Sequence, residues 1–389
     1  MASNFYSLIV IGALLLPLVW SLTFRFLALR SEEVKRAAVW LVYLRRMRVL
    51  NLLAVPTWWS VSDALIESGA KLNPIFDYPQ WVLLLFPLSV GLTASRLITN
   101  WTDRRIEGRR WTTMELFRLS VWNSLSSTVP LLLFAVGIDA LCNRSLIGVL
   151  WIGGAGLLYR FAKAGLLSAE GLKPQLVKSG DLYKRSFTLA KQMGIHLIGV
   201  FVYPTGRGKL MNAHGGAGFI GMTDVCVHWL RGAQLDFVIG HELAHVQQKH
   251  GEMERRIGVG SYLGVAALAI AVPHSPLFFQ VFVKFGVILI PLLVYEYISR
   301  RFELAADRIA VELTGEGEAA IRALTNLDYR SGAPNECNSF DELFLTHPDL
   351  SRRIDAIART GQVSIESVIR IRQELSDRAE DSVLPVKLD

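Results

Sequence analysis

The pattern with the clearest chemistry in this chain is His241-Glu242-Leu243-Ala244-His245. Residues four apart share one helical face, so the two imidazoles point the same way with Glu242 one step round. That spacing suits two zinc ligands, and the glutamate between them is placed to take a proton from a water held by the metal. The chemistry expected is metal-assisted peptide hydrolysis. Apolar Leu235, Val238 and Ile239 predict a helix leading into the pattern, with Gly251 placed to stop it.

A hydrolytic zinc site takes three protein ligands and leaves one position for water. Two are His241 and His245, so a third must come from elsewhere. The stretch Arg300-Arg301-Phe302-Glu303-Leu304-Ala305-Ala306-Asp307 offers Glu303 and Asp307 on one helical face. Glu303 can complete the coordination, and Asp307 can accept a hydrogen bond from the free N–H of a ligand histidine. The plainer alternative is a pair of solvated carboxylates on a helix surface.

These residues sit in a chain of 389 that is 51% hydrophobic, with a mean hydropathy of +0.34. Several apolar runs reach the ~18–20 residues needed to cross a bilayer. The expected spans are 5–29, 49–66, 79–98, 117–140 and 146–166, then 257–273 and 277–298. Pro56 and Asp63 interrupt the second. No charged leader or cleavage site marks the first as a signal peptide. The expected fold is mainly α: a multi-pass membrane protein of about seven spans, with an α+β peptidase domain split by a membrane hairpin. Its parts are residues 1–166 in the membrane, 167–256 with the metal helix, 257–298 as the hairpin, and 299–389 with the third ligand. Strands are expected at Ile195–Tyr203 and Gly218–Thr223, with a glycine-rich turn, Thr205–Gly208, between them.

The net charge is +7, yet the arginines gather in short loops between apolar runs, which argues against a nucleic-acid partner. Such loops encode orientation. Segments 30–48, 99–118, 167–256 and 299–389 are basic and 67–78 is nearly bare. This places the catalytic segments in the cytoplasm and the N-terminus outside, with a bacterial inner membrane the expected setting. Cys142, Cys226 and Cys337 show no metal-ligand spacing and fit a reducing compartment.

Around Asp307 the wording resembles the second motif of the integral-membrane gluzincin peptidases, which include the HtpX-type quality-control proteases and the CAAX prenyl endopeptidases. His347-Pro348-Asp349-Leu350-Ser351-Arg352-Arg353-Ile354 is similar to that family's His-Pro…Arg-Ile motif, and Asn212-Ala213 to its edge strand. The match runs over roughly 180–360 in the family's order. The resemblance implies one zinc ion per chain and a polypeptide substrate at the membrane. It implies Glu303 as third ligand, with Asp307 and Arg353 behind the site. It also implies His347 as oxyanion stabiliser and the Asn212-Ala213 strand as a partner for substrate backbone. His214, His228 and His250 have no place in the pattern and are read as structural, His250 facing the negative end of the metal helix. Five spans before the metal helix resemble the prenyl-endopeptidase arrangement, whereas the wording around Asp307 is closer to the HtpX type. A competing class, a seven-span receptor or transporter built on Asp63, Arg118, Arg160 and Lys284, leaves the ordered motifs unexplained.

Overall fold

The structure is a computed structural model. It describes residues 2–31, 80–106, 112–142, 145–169, 174–205, 211–216, 218–271, 277–331 and 347–382, with scattered positions between 40 and 61 and residues 342, 343 and 345. The turn at 205–208, the loop at 67–78, the Pro273–Pro276 turn, Asn143 and Cys337 lie wholly or mostly outside the described residues, as does much of the span expected at 49–66. The chain divides into two compact units. One is Met1–Glu170 with Val259–Leu292; the other is Gly171–Gly258 with Leu293–Asp389.

The first unit is helical: α1 (Ala2–Arg30), α2 (Gln80–Ile106), α3 (Thr113–Asn123), α4 (Val129–Cys142) and α5 (Ile147–Ala169). Small residues bring α1 and α2 together. A methyl on Gly91 would strike the carbonyls of Ala13 and Leu14, and the hydroxyls of Ser21 and Ser95 meet across the contact. Close backbone approach with shared hydroxyl bonds is how helices associate where lipid removes the hydrophobic incentive. Thr112 and Glu115 form a reciprocal capping box that starts α3. A π-helical turn, Ser124–Thr128, joins α3 to α4. Pro130 follows it, and a proline ring both lacks an N–H and crowds the carbonyl four residues back, which the wider turn relieves. The stretch expected as a fourth span, 117–140, thus lies inside one helical run from Thr113 to Cys142.

Among the described residues one segment, Ile11–Arg30, is both long and apolar enough to cross a membrane; Ile147–Tyr159 is a shorter apolar stretch. Of the seven spans expected, one therefore has a helix of the required length and composition among the described residues.

The second unit carries a sheet in the order β1 (Gln175–Leu176), β2 (Gly199–Tyr203), β4 (Phe219–Thr223), β3 (Ala213–Gly216). β2 and β4 run parallel, while β3 pairs antiparallel with β4 and forms the edge. Strand β2 starts four residues later than expected: Ile195 is tied by its N–H to Ala190 O at the end of α6 (Asp181–Gln192), which delays the extended run. After α7 (Asp224–Trp229) comes the metal helix α8 (Ala233–Gln247), and then α9 (His250–Ala271), α10 (Leu277–Thr314), α11 (Gly317–Ser331), α12 (Leu350–Thr360) and α13 (Ile365–Ser382). The core of this unit joins Val200, Ile220 and Met222 of the sheet to Phe237, Ile239 and Leu243 of α8. Ile321 of α11 and Ile354 and Ile357 of α12 complete it. On α12 the buried Leu350, Ile354 and Ile357 fall at the helical spacing of one face.

Candidate metal centre

Residues 237–244 of α8 are all buried, as is Leu235. A helix hidden on every side cannot carry two histidines and a glutamate unless those groups are partnered, because an unpaired buried polar group costs several kcal/mol, of order 2–7. The partners come from α10. A continuous helix carries the chain from Leu277 to Thr314 and delivers Glu303 and Asp307 to the metal-helix face.

The helix α8 ends differently from the sequence expectation. Gln248 caps it, Lys249 takes a left-handed φ of 52°, and α9 starts at His250. Gly251 lies inside that new helix and stops nothing. His250 accordingly belongs to the first turn of α9 rather than the last turn of α8, and the helix-end role read for it is corrected.

His245 Nε2 lies 3.1 Å from His241 Nε2 and 3.2 Å from Glu303 Oε1, while His241 Nε2 is 3.5 Å from Glu303 Oε2. Zinc bonds of about 2.0–2.1 Å in tetrahedral array require ligand atoms roughly 3.3–3.4 Å apart. The closest approaches are near that size, Glu303 meeting His245 with Oε1 and His241 with Oε2, and one ligand atom from each residue lies within 4.8 Å of the others. Glu303 Oε2 is buried without a hydrogen-bond partner among the described residues, meeting only His241, His347 and Arg353 at 3.5 Å. Two imidazole nitrogens and a carboxylate oxygen left without a hydrogen bond are a donor set that can hold a divalent cation such as zinc. The residues present fit the metal.

Electrostatics agree. Burial disfavours charge on His241, yet Asp307 and Glu303 outweigh it and push the imidazole up to about 10, so this position favours a cation. Burial would raise Glu303, but His241 and His245 hold it well below the usual carboxylate range. Burial raises Glu242, with the two histidines and Arg353 acting against it, which leaves a carboxylate more basic than one in water. Asp307 is fully buried, and its Oδ1 faces His241 Nδ1 at 2.9 Å. Arg353 Nε and Nη2 donate to the two oxygens of Asp307, both at 2.7 Å. Burial would raise Asp307, and this forked pair holds it down. Removing one partner of such a pair typically costs about 3–5 kcal/mol, because the other charge is left buried and alone.

The remaining predicted residues surround this centre. His347 Nε2 is 3.5 Å from Glu303 Oε2, with its side chain 61% exposed, so it borders both the centre and solvent. Asn212 is exposed at the start of the edge strand, where its Oδ1 accepts the N–H of Ala213. Strand β3 lies against α8. A methyl on Gly215 would collide with the carbonyl of Glu242, so glycine is what lets the edge strand approach the metal helix this closely.

Sequence reasoning missed two contributors. His250 Nδ1 lies 2.8 Å from His245 Nδ1, and its ring stacks on Phe302 at 3.9 Å. Arg300 Nη1 donates to the carbonyls of Glu342, Leu343 and Leu345, holding the segment that leads to His347. The available signal was a third histidine five positions after His245. Cys226 is buried beneath the site, and burial, aided by Glu242, pushes its thiol up to about 12, out of the range of reactive thiolates.

Residues 180–360 match the model of peptidase family M48. The chain resembles the membrane zinc metallopeptidases of the HtpX and Ste24 type. Protease HtpX homolog 1 of Streptomyces coelicolor (strain ATCC BAA-471 / A3(2) / M145) is 30% identical over 167 aligned positions, covering 33% of this chain and 53% of that protein. The chain thus spans about half the length of that curated relative. The crystal structure of S. mikatae Ste24p superposes with a TM-score of 0.54 at 14% identity, covering 92% of this chain and 98% of that one. At that identity the likeness is one of fold. All of the candidate ligands fall inside the M48 segment.

Proposed function

We propose that this protein is a zinc-dependent membrane endopeptidase that hydrolyses membrane or membrane-proximal polypeptides at the cytoplasmic face. The observation that carries the reading is the triangle of His241 Nε2, His245 Nε2 and Glu303. His241, His245 and Glu303 would hold the zinc, which when bound would lower the pKa of a water and polarise the scissile carbonyl. Glu242, raised by burial, accepts the proton of the attacking water and passes it to the leaving amine. His347, at the solvent border, donates to the developing oxyanion, and Arg353 holds Asp307, which holds His241. An extended substrate adds to the β3 edge at Asn212-Ala213 and is selected mainly through its backbone.

The test is cleavage by the purified full-length protein of an unmodified membrane polypeptide against a C-terminally prenylated peptide, with and without a zinc chelator. Hydrolysis of the unmodified substrate, abolished by the chelator, is expected. A zinc-loaded protein that cleaves neither substrate overturns the reading. The fold likeness to Ste24p along most of the chain supports a second reading, processing of lipidated C-terminal peptides. Cleavage confined to the prenylated peptide would select it.

The orientation follows from the basic loops. A cysteine probe placed at Ser68 is expected to react with an impermeant reagent from outside, and one at Gly180 to be protected. The reverse pattern sinks the cytoplasmic assignment. A bacterial inner membrane is the setting that these features fit.

A further inference from the structure

The second ring nitrogens of the two candidate histidine ligands face different chemistry. His241 Nδ1 faces the Asp307 carboxylate, itself gripped by Arg353. His245 Nδ1 instead meets another imidazole, His250 Nδ1, at 2.8 Å. His250 is 5% exposed, and its ring lies flat on Phe302, with 5° between the planes. Phe302 precedes Glu303 in the chain, so the contact ties the first turn of α9 to the turn of α10 that carries the third candidate ligand.

A neutral imidazole that offers Nε2 to a metal carries its proton on Nδ1. That proton needs an acceptor, and of two nitrogens facing each other only one can donate. We infer that His250 is a positioning residue: its unprotonated Nδ1 accepts the Nδ1–H of His245, fixing the tautomer and ring angle that aim His245 Nε2 at the metal. The inference rests on the metal-site reading above. His250 then carries its own proton on Nε2, and the Phe302 stack keeps the ring from turning. The site thus receives a charged brace on one histidine and a neutral brace on the other, and the second adds no further negative charge to a pocket that already holds three carboxylates, Glu242, Glu303 and Asp307.

The experiment compares wild type, His250→Phe, His250→Asn and His245→Ala as full-length proteins. Zinc affinity is read by chelator competition, geometry by the visible spectrum of the cobalt-substituted form, and folding by the melting temperature of the metal-free protein. Phenylalanine keeps a buried ring on Phe302 and removes the acceptor; asparagine places an amide oxygen where Nδ1 stood. His250→Phe is expected to weaken zinc about 10–100-fold, as loss of an outer hydrogen bond to a ligand does, and to shift the cobalt bands. His250→Asn is expected to restore most of both. Wild-type affinity in His250→Phe, with zinc lost in His245→Ala, overturns the inference and spares the metal site. Equal zinc loss in the two His250 variants, tracking equal falls in melting temperature, also overturns it. Unchanged affinity in His245→Ala removes the metal-site reading and this inference together. Nitrogen spectra of ring-labelled histidine in the zinc-loaded wild type need no variant: a proton on His250 Nδ1 refutes the proposal.

Discussion

Glu242→Gln is expected to keep its zinc and its fold while losing peptide hydrolysis by at least the ~10²–10⁴ that a positioned general base contributes. Glu242 neighbours His241 on α8, about 100° round the helix from the face shared by the two histidines, so it stands beside the metal face rather than on it. It is 6% exposed, and burial raises its pKa. Glutamine preserves volume and removes the basic oxygen without leaving an unpaired charge. The variant should also hold substrate uncleaved, so crosslinking would identify what the protein acts on. Near wild-type cleavage by Glu242→Gln would end the peptidase reading of this helix. Loss of metal instead would make Glu242 part of the site's framework and require another base.

Glu303→Ala is the sharper test of the metal centre itself. Its carboxylate approaches both histidines, at 3.2 Å and 3.5 Å, and one of its oxygens is buried without a hydrogen bond. Such an oxygen costs free energy in a protein interior unless something positive meets it. Removing it leaves two neutral ligands where a hydrolytic zinc site needs three. The expected result is a fall from about one zinc per chain to near none after dialysis, with activity below detection. The metal-free protein should lose stability as well, because there the Glu303 carboxylate pairs with His241 and His245, which hold it in its charged form. Equal zinc content in Glu303→Ala and wild type would reject it as a ligand and return the search to the other carboxylates near α8.

How much of this was legible beforehand differs by element. Local patterns carried the metal helix: His241, Glu242 and His245 need only a helical repeat to share a face, and α8 supplies it. The same repeat put Glu303 and Asp307 on one side of α10. The positions of β2 and β4 were readable to within a few residues, because β-branched and aromatic residues bounded by glycine favour extended backbone. The spans were harder to settle. Hydropathy counts apolar residues, and one helix among the described residues, Ile11–Arg30, meets the length and composition required.

Sequence by itself thus determined the chemistry: which side chains could bind a divalent cation, at what spacing, and with which base beside them. Periodicity is a local property, and these relations are local. The tertiary structure alone decided which groups meet across long separations. Asp307 takes Arg353 in a two-bonded fork 46 positions away, and Arg300 reaches carbonyls more than forty positions on. It also decided the end of the metal helix, where Lys249 adopts a left-handed backbone conformation that glycine would take more readily. That turn starts a new helix and sends His250 back onto His245. A histidine read as incidental thereby becomes a contact of the site. Its role depends on a ring orientation set by Phe302 on another helix, and no spacing along the chain encodes such a contact.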